Sequence, residues 1–164
     1  MLRRAINSVL EQHFSSWEII VSDDEEGDGE TWRMLQQLSQ IESRIKAVKN
    51  SRQQGQVGNT NSAVAAARGI WIKPLHDDDY LNAGCLDLFH RYITSDMAPS
   101  DLRLVSCHAD VMHDASARRW IKPRRLPLAE IIDRRDAVFA MYLHENVGGI
   151  IPSCICLHRS LVFD

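Results

Sequence analysis

The sequence has little that would mark it for a membrane, for nucleic acid or for a disulfide framework. Its apolar runs all fall short of the ~18 residues that a membrane-spanning helix needs. The first residues form no signal-peptide pattern either. Lysine and arginine total 19 against 22 aspartates and glutamates, so no basic surplus speaks for a nucleic-acid partner. Of the four cysteines, Cys85, Cys107, Cys154 and Cys156, no two stand in a C-x-x-C pair, which argues against zinc ligation and a disulfide set. Reduced, mostly buried thiols in a cytoplasmic protein are expected instead. There is no Gly-x-Ser-x-Gly elbow, no lysine-bearing phosphate loop, no internal repeat and no low-complexity segment. What remains is an ordinary globular composition, 45% hydrophobic and 25% charged, over 164 residues: one domain or most of one.

The pattern along the chain alternates between strand and helix. Leu2, Ala5, Ile6, Val9 and Leu10 make a helical stripe, and Trp17–Ser22 reads as a buried parallel strand. A helix over Thr31–Ser43 follows, with Trp32, Leu35, Leu38 and Ile41 inward, and then a short strand over Arg44–Lys49. A loop rich in glycine and glutamine leads to an alanine-rich helix over Asn59–Arg68, with Gly69 as its C-cap. Ile70–Leu75 reads as the next strand. Asn82 is placed to cap a helix whose inner residues are Leu86, Phe89, Tyr92 and Ile93. This succession predicts an α/β fold with a mostly parallel sheet. Beyond residue 101 the texture turns antiparallel: strands over 102–112 and 118–121, a helix over 126–135, and a strand over 150–157 after Gly148-Gly149.

Two strand ends are acidic. The first runs Asp23-Asp24-Glu25-Glu26, the second His76-Asp77-Asp78-Asp79. Like charges side by side repel, and packing does not call for them. In an α/β sheet, however, carboxyl ends of strands are where ligands bind. Clustered carboxylates there suit Mg2+ or Mn2+, ions commonly used to hold phosphates. A carboxylate at the first end can accept hydrogen bonds from a base or ribose, although a plain Asx turn accounts for Asp23 and Asp24 alone equally well. Lys49 and Arg52 stand near enough in sequence to meet a base or phosphate, with ordinary solvation as the alternative. His108, His113 and His144 fit no ligand spacing, and Cys154-x-Cys156 reads as core packing.

Five segments, in order and at the right spacing, resemble family 2 glycosyltransferases of the GT-A fold. They are Ala5-Ile6-Asn7-Ser8-Val9-Leu10-Glu11-Gln12, Trp17-Glu18-Ile19-Ile20-Val21-Ser22-Asp23-Asp24, Asn59-Thr60-Asn61-Ser62-Ala63, Ala67-Arg68-Gly69 and Leu75-His76-Asp77-Asp78-Asp79. The resemblance covers residues 2–95, with a fainter echo from Ile151 to Asp164 at Ser153, His158-Arg159 and Val162-Phe163-Asp164. It implies a Rossmann-like, mostly parallel sheet flanked by helices and a mixed or antiparallel C-terminal part. Residues 1–95 would form the nucleotide-sugar-binding half of one domain, and 96–164 the start of the acceptor-binding half. The implied activity is metal-dependent, inverting transfer of a sugar from a nucleotide-diphosphate donor to an acceptor hydroxyl in cell-surface polysaccharide biosynthesis. The acceptor would be a glycan, a lipid-linked sugar or another hydroxyl compound. Asp23, Asp24, Asp77, Asp78 and Asp79 take the donor-site positions, with Asp78 at the metal position of the family's Asp-x-Asp motif and Mn2+ or Mg2+ as the ion.

The sequence departs from the family in three places. His76 stands where an aspartate is common, the family's first strand has no counterpart before Leu2, and its general base would fall beyond Asp164. The expectation is therefore a domain cut at both ends, with exposed sheet edges open to self-association. A cytoplasmic location is expected, with attachment to the inner membrane face as a variant. Two rivals stay open. One is a truncated or degenerate module without activity, and the other a nucleotidyltransferase, whose Gly-rich loop with basic residues is not in this sequence.

Overall fold

The computed structural model describes residues 1–51, 53, 55–107, 110–113, 118–121 and 152–163. Its first half alternates as the sequence suggests: α1 (Leu2–Leu10), β1 (Ile19–Asp23), α2 (Glu30–Ile41), β2 (Ile45–Lys49), α3 (Gly55–Ala66), β3 (Trp71–Ile72) and α4 (Cys85–Ile93). Three short strands follow, β4 (Leu104–Ser106), β5 (Asp110–His113) and β6 (Arg118–Ile121). A 3-10 turn at Pro152–Cys154 then leads into β7 (Ile155–His158), and α5 covers Ser160–Phe163. The expected helix over 126–135, the apolar segment 137–143, whose sequence suits strand or helix, and Gly148-Gly149 lie outside the described residues, as does Arg52.

β1 and β2 pair in parallel with Val21 opposite Ala47, the arrangement that two β-branched runs separated by a helix favour. α2 packs over this pair and α3 against β1. The core between α1, α2 and the strand pair centres on Ile6, Leu35 and Ile45, with Leu2, Ile19, Val21, Trp32, Met34, Leu38 and Ala47 around it. Leu35 is 0% exposed. Ile41, also expected inside, is 84% exposed at the last position of α2.

The parallel arrangement stops there. β3 keeps only two residues and belongs to a different, antiparallel sheet ordered β3-β7-β4, while β5 and β6 form a hairpin. β1 and β3 are nonetheless tied at their starts. The Glu18 carboxylate, just before β1, accepts the backbone N–H groups of Arg68 at 2.6 Å and Gly69 at 2.9 Å, just before β3. Burial pushes the Glu18 pKa up, but these donors and the Arg68 guanidinium outweigh it and leave it lowered. Gly69 is therefore held by Glu18 rather than serving as a C-cap, since α3 ends at Ala66.

α4 also begins differently from expectation. Its N-cap is Gly84, at φ +75, a left-handed conformation that glycine adopts without Cβ strain. Asn82 instead offers its backbone carbonyl to the N–H of Cys85 and to the side chain of Gln12. Along α4 only Phe89 is fully buried, and Tyr92 is exposed. All four cysteines are free thiols. Cys154 and Cys156 are buried as expected, Cys85 is half-buried, and Cys107 is exposed. Hydrogen bonding to the Cys107 thiol, followed by burial, raises the pKa of Cys85 and of Cys154, and burial pushes Cys156 up to about 11. Raised in this way, the three behave as packed thiols rather than as activated thiolates.

Candidate functional site

The acidic run after β3 forms a tight turn rather than an extended strand end. The Asp79 N–H donates to the His76 carbonyl at 3.2 Å, and this reversal brings three side chains together. One ligand atom each from His76, Asp78 and Asp79 lies within 4.8 Å of the others. Asp78 is exposed, and His76 and Asp79 are half-buried. Asp77 is exposed and does not join the group. The triplet that reads as one unit in sequence thus splits, and His76 takes the third place.

Two carboxylates and an imidazole form a donor set that fits a divalent cation, with oxygen ligands for a hard ion and a nitrogen acceptable to Mn2+ and later metals. Three protein donors leave coordination positions open for ligand oxygens, and the exposed Asp78 side faces solvent.

The turn is anchored from two directions. On one side, Ser153 Oγ accepts the backbone N–H of His76 at 3.1 Å. On the other, α1 and the two residues after it reach across to the residues that follow. Ser8 Oγ accepts the N–H of Leu81 at 3.0 Å and donates to the Ala5 carbonyl at 2.7 Å. Gln12 donates to the Asn82 carbonyl at 3.0 Å and accepts the Leu86 N–H at 3.1 Å. Both side chains are buried, which makes these bonds worth more than their surface counterparts. Arg4 adds a cation–π contact, 3.9 Å above the Tyr80 ring. Their contribution shows in the sequence only as a small anomaly. Ser8, on the buried face of α1, and Gln12, two residues past its end, are polar residues three and seven positions after Ala5.

The first acidic end is built differently. Asp23 is buried, its Oδ2 2.7 Å from Lys49 Nζ and its Oδ1 accepting the Glu25 N–H at 3.1 Å. Lys49 also lies 5.3 Å from the centroid of the Trp32 ring, so it is a structural partner of Asp23 rather than a solvated surface lysine. Asp24 accepts from the Asn50 side chain at 2.9 Å and from the Gly55 N–H at 2.8 Å. The pair therefore fixes the end of β1, the loop after β2 and the start of α3 in one network. His108 and His144 lie outside the described residues, and of His113 only the backbone in β5 is described.

An α/β domain with a donor cluster just past a strand belongs to the class of folds whose ligand sites open beyond the carboxyl ends of their strands. Residues 1–160 match the family described as Glycosyl transferase family 2, and the chain belongs to that family. With it comes the GT-A type of α/β fold, here seen as a parallel pair flanked by helices and a separate antiparallel sheet.

Several characterised or named proteins are similar over part of the chain. A GalNAc(5)-diNAcBac-PP-undecaprenol beta-1,3-glucosyltransferase of Campylobacter jejuni is 40% identical over 87 residues, 52% of this chain and 28% of that protein. The UDP-Glc:alpha-D-GlcNAc-diphosphoundecaprenol beta-1,3-glucosyltransferase WfgD of Escherichia coli is 34% identical over 84 residues, 51% of this chain and 32% of its own length. A putative teichuronic acid biosynthesis glycosyltransferase TuaG of Bacillus subtilis is 36% identical over 74 residues, 45% of this chain and 29% of its own. The matches thus span about a third or less of these relatives.

Proposed function

We propose that this chain is the donor-binding part of a glycosyltransferase that moves a sugar, with inversion, from a nucleotide-diphosphate sugar to an acceptor hydroxyl. The observation that carries the reading is the His76, Asp78 and Asp79 cluster, set just past β3 in a family 2 chain. Asp78 and Asp79, with His76 beside them, would hold Mn2+ or Mg2+ at the donor diphosphate. When bound, such an ion neutralises charge that develops on the leaving nucleoside diphosphate. Asp77 would border the donor without ligating the ion. The Asp23–Asp24 turn would meet the nucleobase, with the Lys49 ion pair and the Asn50 bond keeping that turn in place.

The names of the relatives narrow the substrates. One is named for UDP-glucose, and two act on undecaprenyl diphosphate-linked sugars, each described as a beta-1,3-glucosyltransferase. We therefore place UDP-glucose as donor and a polyprenyl diphosphate-linked glycan as acceptor, in the making of a surface polysaccharide. We place the meeting with a lipid-linked acceptor at the cytoplasmic face of the membrane; among the described residues no helix is long and apolar enough to cross one. Inverting attack needs a base to take the acceptor's proton. The described residues do not assign it.

The test is thermal unfolding of the chain with UDP and Mn2+, with UDP and a chelator, and alone. A rise in midpoint that requires both is expected, since a ligand that binds only the folded state stabilises it. No rise at saturating ligand would overturn the reading. UDP-glucose turnover then separates a working enzyme from a module that binds its donor without acting on it.

A further inference from the structure

The cation cluster is held from outside by a residue that carries no charge. Ser153 sits in the 3-10 turn at Pro152–Cys154, immediately before β7. β7 pairs antiparallel with β3, Trp71 opposite His158 and Ile72 opposite Leu157. Chain leaving β3 therefore runs beside chain entering β7, and His76 meets Ser153 across 77 positions of sequence. Two bonds form at this crossing. Ser153 Oγ accepts the His76 N–H at 3.1 Å, and the Ser153 carbonyl accepts from the Lys73 ammonium. Lys73 Nζ also stands 5.2 Å from the centroid of the Phe89 ring, which fixes it against α4 as well.

The effect on His76 is specific. Its N–H is bound by Ser153 and its carbonyl by the N–H of Asp79, so the peptide units on both sides of its Cα are pinned. With both pinned, the Cα–Cβ direction of His76 is set relative to Asp78 and Asp79. Ligands that must converge on one ion lose affinity when any one of them is free to wander.

We propose that Ser153 is the positioning residue of the cation site: through its hydroxyl it sets the backbone of His76 and so the convergence of His76, Asp78 and Asp79. The proposal rests on the reading of that cluster as a cation site. It assigns a role in the donor half to a residue about eighty positions further along the chain.

The experiment is Mn2+ titration of the chain by calorimetry, with urea unfolding of the same samples. Outer partners of metal ligands are commonly worth about 10–100-fold in affinity. Ser153→Ala should weaken Mn2+ by that order, and Ser153→Thr, which keeps the hydroxyl, should stay close to the parent chain. Equal affinity in Ser153→Ala overturns the proposal, even if that variant is less stable, since the serine would then be structural only. A Ser153→Thr as weak as Ser153→Ala overturns it too. Should Ser153→Ala fail to fold, Ser153→Cys, with its weaker acceptor, takes its place under the same criterion. A parent chain that binds no Mn2+ overturns the cation reading itself and this inference with it.

Discussion

The side-chain amide of Gln12 donates to the backbone carbonyl of Asn82 at 3.0 Å, 70 residues further along the chain. Its carbonyl oxygen accepts the N–H of Leu86 at 3.1 Å, so one buried side chain closes two backbone groups of the segment that leads from the acidic turn into α4. The segment from α1 through Gln12 is thereby more than a cover for the parallel pair. Ser8 and Gln12 hold the exit of the candidate site.

Replacing Gln12 with leucine keeps the approximate volume and removes both bonds, together with the one it donates to the Ser8 carbonyl. Buried groups that lose a partner cost about 1–3 kcal/mol. Gln12→Leu should lower the urea midpoint accordingly with little change in slope. A midpoint within error of the parent would show that the latch contributes nothing.

The ion pair of Lys49 and Asp23 makes a second prediction. The Asp23 side chain is 3% exposed, so Lys49→Met leaves a carboxylate with its charge partner removed in a poorly hydrated place. Loss of one partner from such a pair typically costs about 3–5 kcal/mol. Adding Asp23→Asn to Lys49→Met should recover part of that loss. A double variant as unstable as the single would contradict the account of Lys49 as a structural partner.

Acid should weaken the tie between β1 and β3. The folded-state pKa of Glu18 lies below its ordinary value of 4.5, because its N–H and guanidinium donors outweigh its burial. A depressed carboxylate pKa means stability that is present above the unfolded value and lost as pH falls through the folded one. Thermal midpoints measured downward from neutral pH should therefore fall below that ordinary value, and fall less steeply in Glu18→Gln. Parallel curves for both proteins would remove Glu18 from the acid response.

His76 makes the cluster a mixed nitrogen and oxygen set, and imidazole is a poor ligand for Mg2+ but an acceptable one for Mn2+. The parent chain should bind Mn2+ more tightly than Mg2+ in calorimetric titration. His76→Asp, which restores an all-carboxylate set, should narrow that gap. An unchanged ratio would place His76 outside the coordination.

Local patterns foresaw the alternation of elements through α4, because stripes such as Leu2, Ala5, Ile6 and Val9 and runs such as Ile19–Val21 are short-range signals. What they missed depends on partners far away. α3 begins at Gly55 rather than Asn59, where Gly55, at φ +70, gives its N–H to the Asp24 carboxylate 31 positions earlier. β3 keeps two of its six expected residues because the chain after Ile72 turns to Ser153 instead of continuing a ladder. The acidic run was visible as a unit, but which members converge is decided by the turn at His76–Asp79, and no spacing rule shows that.

We have proposed a cation-assisted site for a nucleoside diphosphate at His76, Asp78 and Asp79. Calorimetric titration of UDP into the chain with Mn2+, repeated for Asp77→Ala, Asp78→Ala and Asp79→Ala, tests it most directly. The account predicts saturable, Mn2+-dependent binding that falls by about tenfold or more in Asp78→Ala and Asp79→Ala, the order expected when a metal ligand or its close partner is lost. Asp77→Ala should be nearly spared. Binding that ignores Mn2+, or that Asp77→Ala damages as much as Asp78→Ala, would contradict it.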